Sequence, residues 1–256
     1  MIAPRSTAAG PRGAGPGVAI ARAALGAAGS ALASWARDFA AFALPQRCPG
    51  CGAHAAAARL LCDACRAAIP RVAMPLCARC LAAGREPVGC RLHPGRTVWP
   101  AWLYDERATC VVHALKYQGR VGLAAGLAPE LARVVPPAPR PDLVMAVPLH
   151  SARRRERGYN QAGLLAETLA GEIGVPLLDG AIERVRDTRP QARLDPRARR
   201  ANVAGAFRVR RPRWLEGRSI LLVDDVITTG ATFEACLAAL ERAGARPAGV
   251  ALAWAQ

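Results

Sequence analysis

The stretch ILLVDDVITTGAT, residues 220–232, constrains the fold more than any other part of the chain. Ile220 to Val223 form a continuous apolar run that reads as an interior strand, 219–224. Two adjacent carboxylates, Asp224 and Asp225, stand at its end. Thr228, Thr229, Gly230, Ala231 and Thr232 then turn the chain into a helix predicted over 231–243. Gly244 stops that helix and a further strand follows over 246–254. A strand, a polar junction, a helix and a second strand form a βαβ unit, so a parallel sheet lies at the centre. Ligands of open α/β sheets bind outside the C-terminal ends of such strands.

The junction has two halves with different chemistry. The first N–H groups of a helix have no partners inside it, and the helix dipole favours an anion beside them. Thr228, Thr229 and Thr232 add hydroxyl donors, and Gly230 permits a positive φ or a close approach. Such a turn is a phosphate cradle. Carboxylates would repel a phosphate, but they accept hydrogen bonds from sugar hydroxyls or hold hydrated Mg²⁺ against a diphosphate. A ribose or nucleoside phosphate satisfies both halves. Neither G-x4-G-K-[ST] nor a G-x-G-x-x-G turn after a strand is present, which excludes the P-loop and the dinucleotide fingerprint.

Strand and helix alternate through the last two thirds of the chain. WPAWLYDERATCVVHALKYQGR reads as a strand and a helix carrying Lys116, and 121–135 as a helix ended by PPAPRP. DLVMAVPLH is a strand closed by Pro148, and the segment from Ser151 is a basic loop leading into an amphipathic helix that ends near Gly174. VPLLDGAIERV is a short strand region. The basic stretch after it is irregular until Phe207 begins a strand.

Seven of the nine cysteines lie between Cys48 and Cys90. Cys48-x2-Cys51 and Cys62-x2-Cys65 have the spacing of a structural zinc site. Cys77-x2-Cys80 is followed by Cys90-x2-His93, in which histidine takes the place of a fourth cysteine and imidazole keeps a zinc site feasible. Two sequential sites are the leading expectation, and interleaved pairing also fits the spacing. Four protein ligands leave no open coordination position, so the zinc is expected to be structural, and a module this small should need it to fold. Cys110 and Cys236 are expected in the core, and His54, His113 and His150 take no metal role.

With 35 basic and 19 acidic residues the chain carries a formal charge of +16, which favours polyanionic partners. Lys116 is its one lysine. Residues 1–17, rich in Pro, Gly and Ala, are expected to be a disordered leader, and 18–44 an amphipathic helix with Trp35, Phe39 and Phe42 on one face. The cysteine-rich zinc module is placed at 45–95 and the α/β domain at 96–256. No run of 18 strongly apolar residues predicts a membrane span. Unpaired metal-spaced cysteines point to a reducing, cytoplasmic compartment.

VDDVITTGAT resembles the phosphoribosyl diphosphate motif of type I phosphoribosyltransferases. Taken with the leading C-x2-C pairs, HALKYQGR (113–120), VPLHSARRRERGYNQA (147–162), RDTRPQARL (186–194) and RRANVAGAF (199–207), the chain resembles the ComF family, which includes the competence protein ComF and GntX-like proteins. The fold so implied is a type I phosphoribosyltransferase-like α/β domain, a mostly parallel sheet flanked by helices, behind the zinc module. The resemblance implies that Asp224 and Asp225 contact the ribose hydroxyls and that Thr228, Thr229, Gly230, Ala231 and Thr232 hold the 5′-phosphate. It makes Arg157 a candidate for the diphosphate loop and matches Tyr159, Asn160 and Gln161 to the family's aromatic–Asn–Gln segment. RDTRPQARL resembles the loop that closes over the diphosphate, with Arg189 and Gln191 reaching in, and Lys116 matches a family lysine.

Phosphoribosyl transfer in the families resembled proceeds by loss of diphosphate through an oxocarbenium-like state. Arg157, Arg189, Lys116 and Mg²⁺ suit the departing charge, and the acid pair suits the ribose. Two functions follow: a Mg²⁺-dependent phosphoribosyltransferase with an unknown acceptor, or a non-catalytic phosphoribosyl diphosphate- or nucleotide-binding protein that assists single-stranded DNA handling. The competence resemblance adds competence-machinery proteins as partners. The inner loops of the zinc module are poor in aromatics and offer no stacking platform for nucleic acid.

Overall fold

The computed structural model describes residues 47–55, 60–186 and 205–256. The expected leader and amphipathic helix lie outside the described residues. So does most of RDTRPQARL, with Arg189 and Gln191. All described residues belong to one unit, Gln46–Gln256.

A five-stranded sheet forms the centre, in the order β1-β2-β7-β6-β3. Its members are β1 (Leu76–Cys77), β2 (Thr97–Leu103), β3 (Leu143–Ala146), β6 (Ser219–Ile227) and β7 (Arg246–Trp254). β2, β7, β6 and β3 are mutually parallel, and β1 adds an antiparallel edge. β6 and β7 are central and buried on both faces, so their sequences read as near-continuous apolar runs. A separate antiparallel pair joins β4 (Ile182–Arg184) to β5 (Phe207–Val209).

The helices are α1 (Asp63–Ala68), α2 (Ala78–Ala82), α3 (Glu106–Tyr117), α4 (Leu123–Ala132), α5 (Ser151–Arg157), α6 (Gln161–Ile173) and α7 (Ala231–Arg242). Asp105 caps α3 by accepting from Ala108 N at 2.8 Å. Gly174, at φ 62°, closes α6. Leu165, Ala166 and Leu169 of α6, Leu127 and Leu131 of α4, and Phe233, Leu237 and Leu240 of α7 turn their apolar faces inward and join one continuous core.

Four expectations change. β6 runs to Ile227 rather than 224, because Val226 and Ile227 keep their register with Ala253 and Trp254 of β7. The acids therefore lie inside the last turn of pairing on that side. The helix expected over 121–135 covers Leu123–Ala132. The basic loop after Pro148 is helical: the His150 imidazole accepts from Ala152 N, and Gly158 ends the helix at φ 80°. Cys236 is buried as expected, but Cys110 faces outward from α3 and is exposed.

Candidate ribose-phosphate site and paired metal centres

β3 ends at Ala146, opposite Val223 of β6. Asp224 and Asp225 therefore project past the end of β3, at the C-terminal edge of the sheet. Asp225 is 3% exposed. Its Oδ1 lies 3.0 Å from Lys116 Nζ, and its buried Oδ2 has no hydrogen-bond partner among the described residues. A carboxylate oxygen buried without a partner is costly, and a bound hydroxyl or hydrated cation would satisfy it. Burial alone would pull the Lys116 ammonium down, but the charges of Asp225 and then Asp224 hold it above the ordinary lysine value.

Asp224 is half-buried, and its Oδ1 accepts from Asp225 N at 2.8 Å. Burial, and next the charge of Asp225, push its carboxyl up to about 8; Lys116 and Arg184 pull the other way. The acid pair thus shares a small field with one lysine and one arginine.

The turn after the acids spans Thr228 to Gly230. Thr228 is exposed, Thr229 and Thr232 are half-buried, and Ala231 opens α7. The first helical bond runs from Glu234 N to Gly230 O at 2.8 Å, and no side chain caps the helix. The N–H groups of residues 231–233 thus precede the helix's own bonding and face the turn. Gly230 has φ 69°, and a Cβ there would stand 2.8 Å from Ala78 O. Its backbone is thus approached closely by the cysteine-rich segment, a constraint that the phosphate argument alone does not contain.

The other predicted residues fall into two groups. Tyr159 Oη donates to Leu115 O at 2.5 Å, which ties the start of α6 to the residue before Lys116. Asn160 Nδ2 donates to Val147 O at 3.1 Å, and Gln161 is buried with Oε1 unpartnered. Arg157 instead faces Tyr117, with its guanidinium 4.9 Å from the ring centroid and Nη2 3.2 Å from Tyr117 Oη. A cleft of about 270 Å³ opens beside the end of β3, lined by Pro148, Ser151, Arg154, Asn160 and Arg184 among others. Sequence reasoning passed over Arg154 and Arg184. Arg154 was readable only once its segment is taken as a helix, on which it lies one turn before Arg157.

The cysteine-rich segment closes into two clusters: Cys48, Cys51, Cys62 and Cys65, and Cys77, Cys80, Cys90 and His93. Within each set the ligand atoms lie within 4.8 Å of one another. These are the sequential sets; the interleaved pairing is not the one formed. Cys51 and Cys62 Sγ are 3.6 Å apart, Cys80 and Cys90 Sγ 3.5 Å, and His93 Nδ1 lies 3.3 to 3.5 Å from its three sulfurs. A tetrahedral zinc with ordinary bond lengths separates two sulfurs by about 3.8 Å and a sulfur from an imidazole nitrogen by about 3.6 Å. One C-x2-C turn in each cluster opens a short helix, where Cys62 Sγ accepts from Cys65 N and Cys77 Sγ from Cys80 N at 3.4 Å. Such bonds stabilise thiolates. Burial pushes the Cys80 thiol up to about 12, and burial with the neighbouring sulfurs raises Cys65 well above the ordinary thiol value. The donor sets fit structural zinc.

Residues 122–256 match the family model of the phosphoribosyl transferase domain, and residues 39–91 that of the double zinc ribbon domain. The "DNA utilization protein YhgH" of Salmonella typhi is 36% identical over 201 residues, covering 72% of this chain and 86% of that protein. The "Competence protein F" of Haemophilus influenzae is 31% identical over 200 residues, covering 72% and 85%. Adenine phosphoribosyltransferase from Thermoanaerobacter pseudethanolicus aligns at a TM-score of 0.34 and 16% identity, over 54% of this chain and 83% of that one, a likeness too slight to argue from. The fold and the family matches thus define a type I phosphoribosyltransferase-like domain joined to a zinc ribbon, and within that class the chain belongs to the ComF/YhgH-like family. Among the described residues no helix is long and apolar enough to cross a membrane.

Proposed function

We propose that the chain binds phosphoribosyl diphosphate with Mg²⁺ at the acid–threonine junction and transfers the phosphoribosyl group to an acceptor. One observation carries the reading. Asp225, buried and paired with Lys116, keeps an oxygen without a partner among the described residues, at the edge of the sheet where an uncapped helix begins. Asp225 and Asp224 accept from the ribose hydroxyls, and the amides of residues 231–233 with Thr228, Thr229 and Thr232 take the 5′-phosphate. Lys116 keeps the acid pair from carrying two uncompensated charges. Arg154, Arg157 and Arg184, with Arg189 and Gln191 from the stretch beyond the described residues, take the diphosphate side. Mg²⁺, bound with the ligand, supplies further positive charge to the leaving diphosphate. Residues 45–95 serve as the zinc module and 96–256 as the ligand-binding domain.

The test is release of diphosphate from phosphoribosyl diphosphate by zinc-loaded protein offered nucleobases and related amines as acceptors. Acceptor-dependent release that Asp225→Asn abolishes supports the reading, and absence of release with every acceptor counts against transfer.

A second reading has its own support. The printed names of the relatives concern DNA utilization and competence, and exposed arginine–aromatic pairs lie on the surface: Arg157 over Tyr117, and Arg211 4.5 Å from the centre of the Trp214 ring. Such pairs stack bases. Here the chain binds the same phosphorylated ligand without turnover and assists single-stranded DNA together with competence-machinery proteins. Salt-dependent DNA binding without diphosphate release favours it.

A further inference from the structure

Arg96 is almost fully buried, at 6% exposure, and touches both the second metal cluster and the helix that follows the phosphate turn. Its backbone joins the two halves of that cluster. Arg96 N donates to His93 O at 3.3 Å, and Arg96 O accepts from Ala78 N, between Cys77 and Cys80, at 2.8 Å. Its side chain reaches α7, with Nε 2.9 Å from Glu234 Oε2 and Nη2 2.5 Å from Glu241 Oε2. Glu234 also supplies the N–H of the first hydrogen bond of α7, to Gly230. The hydrogen bond to Glu241 fixes direction as well as distance, and Glu234 adds an ion pair without hydrogen-bond geometry.

A second contact runs in parallel. α2, which carries Cys80, lies on the turn itself, where a Cβ on Gly230 would stand 2.8 Å from Ala78 O and 3.1 Å from Leu81 Cβ. The position of α2 relative to the 90–96 loop is set by the four ligands of the second cluster, since Cys77 and Cys80 come from one side and Cys90 and His93 from the other. The first cluster has no such link to α7 among the described contacts.

We propose that Arg96 is a positioning residue for the phosphate turn, and that the second zinc site is the anchor from which it acts. Metal at Cys77, Cys80, Cys90 and His93 holds α2 and Arg96 in register. They in turn hold Gly230 at positive φ and aim the first amides of α7. Loss of that metal by chelation frees the turn and lowers its affinity for phosphate. The inference rests on the phosphate reading of this turn.

The experiment uses the full zinc-loaded chain, Arg96→Met and Arg96→Lys, with amide hydrogen exchange and titration with phosphoribosyl diphosphate in Mg²⁺. In Arg96→Met, exchange of the amides of residues 234–237, the first bonded turn of α7, should rise while α6 stays unchanged, and affinity should fall roughly tenfold with zinc content retained. Arg96→Lys, which can still pair with a glutamate, should recover part of both. An Arg96→Met protein that keeps its zinc and matches the wild type in exchange and affinity would overturn the proposal. If Arg96→Met does not fold, stepwise chelation of the wild type decides. Exchange at residues 234–237 should rise as the second site empties, and unchanged exchange there at that point overturns the proposal. Wild-type protein that binds no phosphoribosyl diphosphate, yet shows the exchange response, would sink the ligand reading and leave the mechanical link standing.

Discussion

Lys116 Nζ sits 3.0 Å from Asp225 Oδ1, so the one lysine of an arginine-rich chain neutralises the more buried member of the acid pair. The pair joins α3 to the end of β6 across a large sequence separation. Arginine has the same charge but a broad planar head, whereas an ammonium fits a narrow site beside two carboxylates.

Breaking that pair leaves Asp225 buried without compensation. Lys116→Met should lower unfolding stability by roughly 3 kcal/mol. The double variant with Asp225→Asn should recover much of it, because both charges then leave together. Urea unfolding of the two single variants and the double one, taken as a cycle, checks the coupling.

The raised carboxyl of Asp224 gives a pH signature. Its folded value is about 8 against 3.8 for an ordinary aspartate, so the native state holds a proton that the unfolded chain has released. This contribution to stability is fully present below about pH 4, declines as the pH rises toward about 8 and is lost above it. Asp224→Asn should remove that component from the pH dependence of unfolding. Ligand affinity should rise across the upper part of the same range, as the carboxylate becomes free to accept from a ribose hydroxyl.

Two sequential clusters predict two zinc ions per chain. Cys48→Ser and Cys90→Ser should each lower the zinc content to about one per chain, since each disables one cluster and spares the other. Interleaved pairing would have both substitutions disturb both ions. Metal analysis of the purified variants distinguishes the two.

Glu130 is wholly buried on α4 and faces three arginines: Arg71 at 2.7 Å, Arg133 at 3.3 Å and Arg66 at 3.4 Å. Arg66 also donates to Gly126 O at 3.2 Å, so this cluster ties α1 of the first metal segment to α4. Glu130→Ala should cost roughly 2 kcal/mol, because it removes the acceptor of the mostly buried Arg66 guanidinium and of two exposed arginines, Arg71 and Arg133. Chemical denaturation of the zinc-loaded variant measures it.

The legible parts of this molecule are those encoded locally. The apolar run before Asp224 gives β6, Gly230 and Gly244 bracket α7, and the C-x2-C spacing gives both metal clusters. What was not legible depends on partners far away in the chain. Nothing in LAPEL marks Glu130 as buried, because Arg66 and Arg71 come from the cysteine-rich segment and Arg133 from the C-cap of its own helix. The sequence reading had two reasons for Gly230, a positive φ and a close approach, and the approaching group proved to be the carbonyl of Ala78. The helix at Ser151 was hidden because its run of arginines reads as a basic loop, while the His150 cap and the Gly158 stop are single-residue signals. Cys110 was expected inside from its apolar neighbours, but the helical period turns it outward while Val111 and Val112 face the core.

The most direct measurement is calorimetric titration of the zinc-loaded protein with phosphoribosyl diphosphate, with and without Mg²⁺, beside Asp225→Asn. Micromolar, Mg²⁺-dependent binding by the wild type, weakened at least about tenfold in the variant, is the predicted result. No binding by protein that carries its zinc and melts cooperatively, or equal binding by Asp225→Asn, would contradict the assignment of the acid–threonine junction as the ribose-phosphate site.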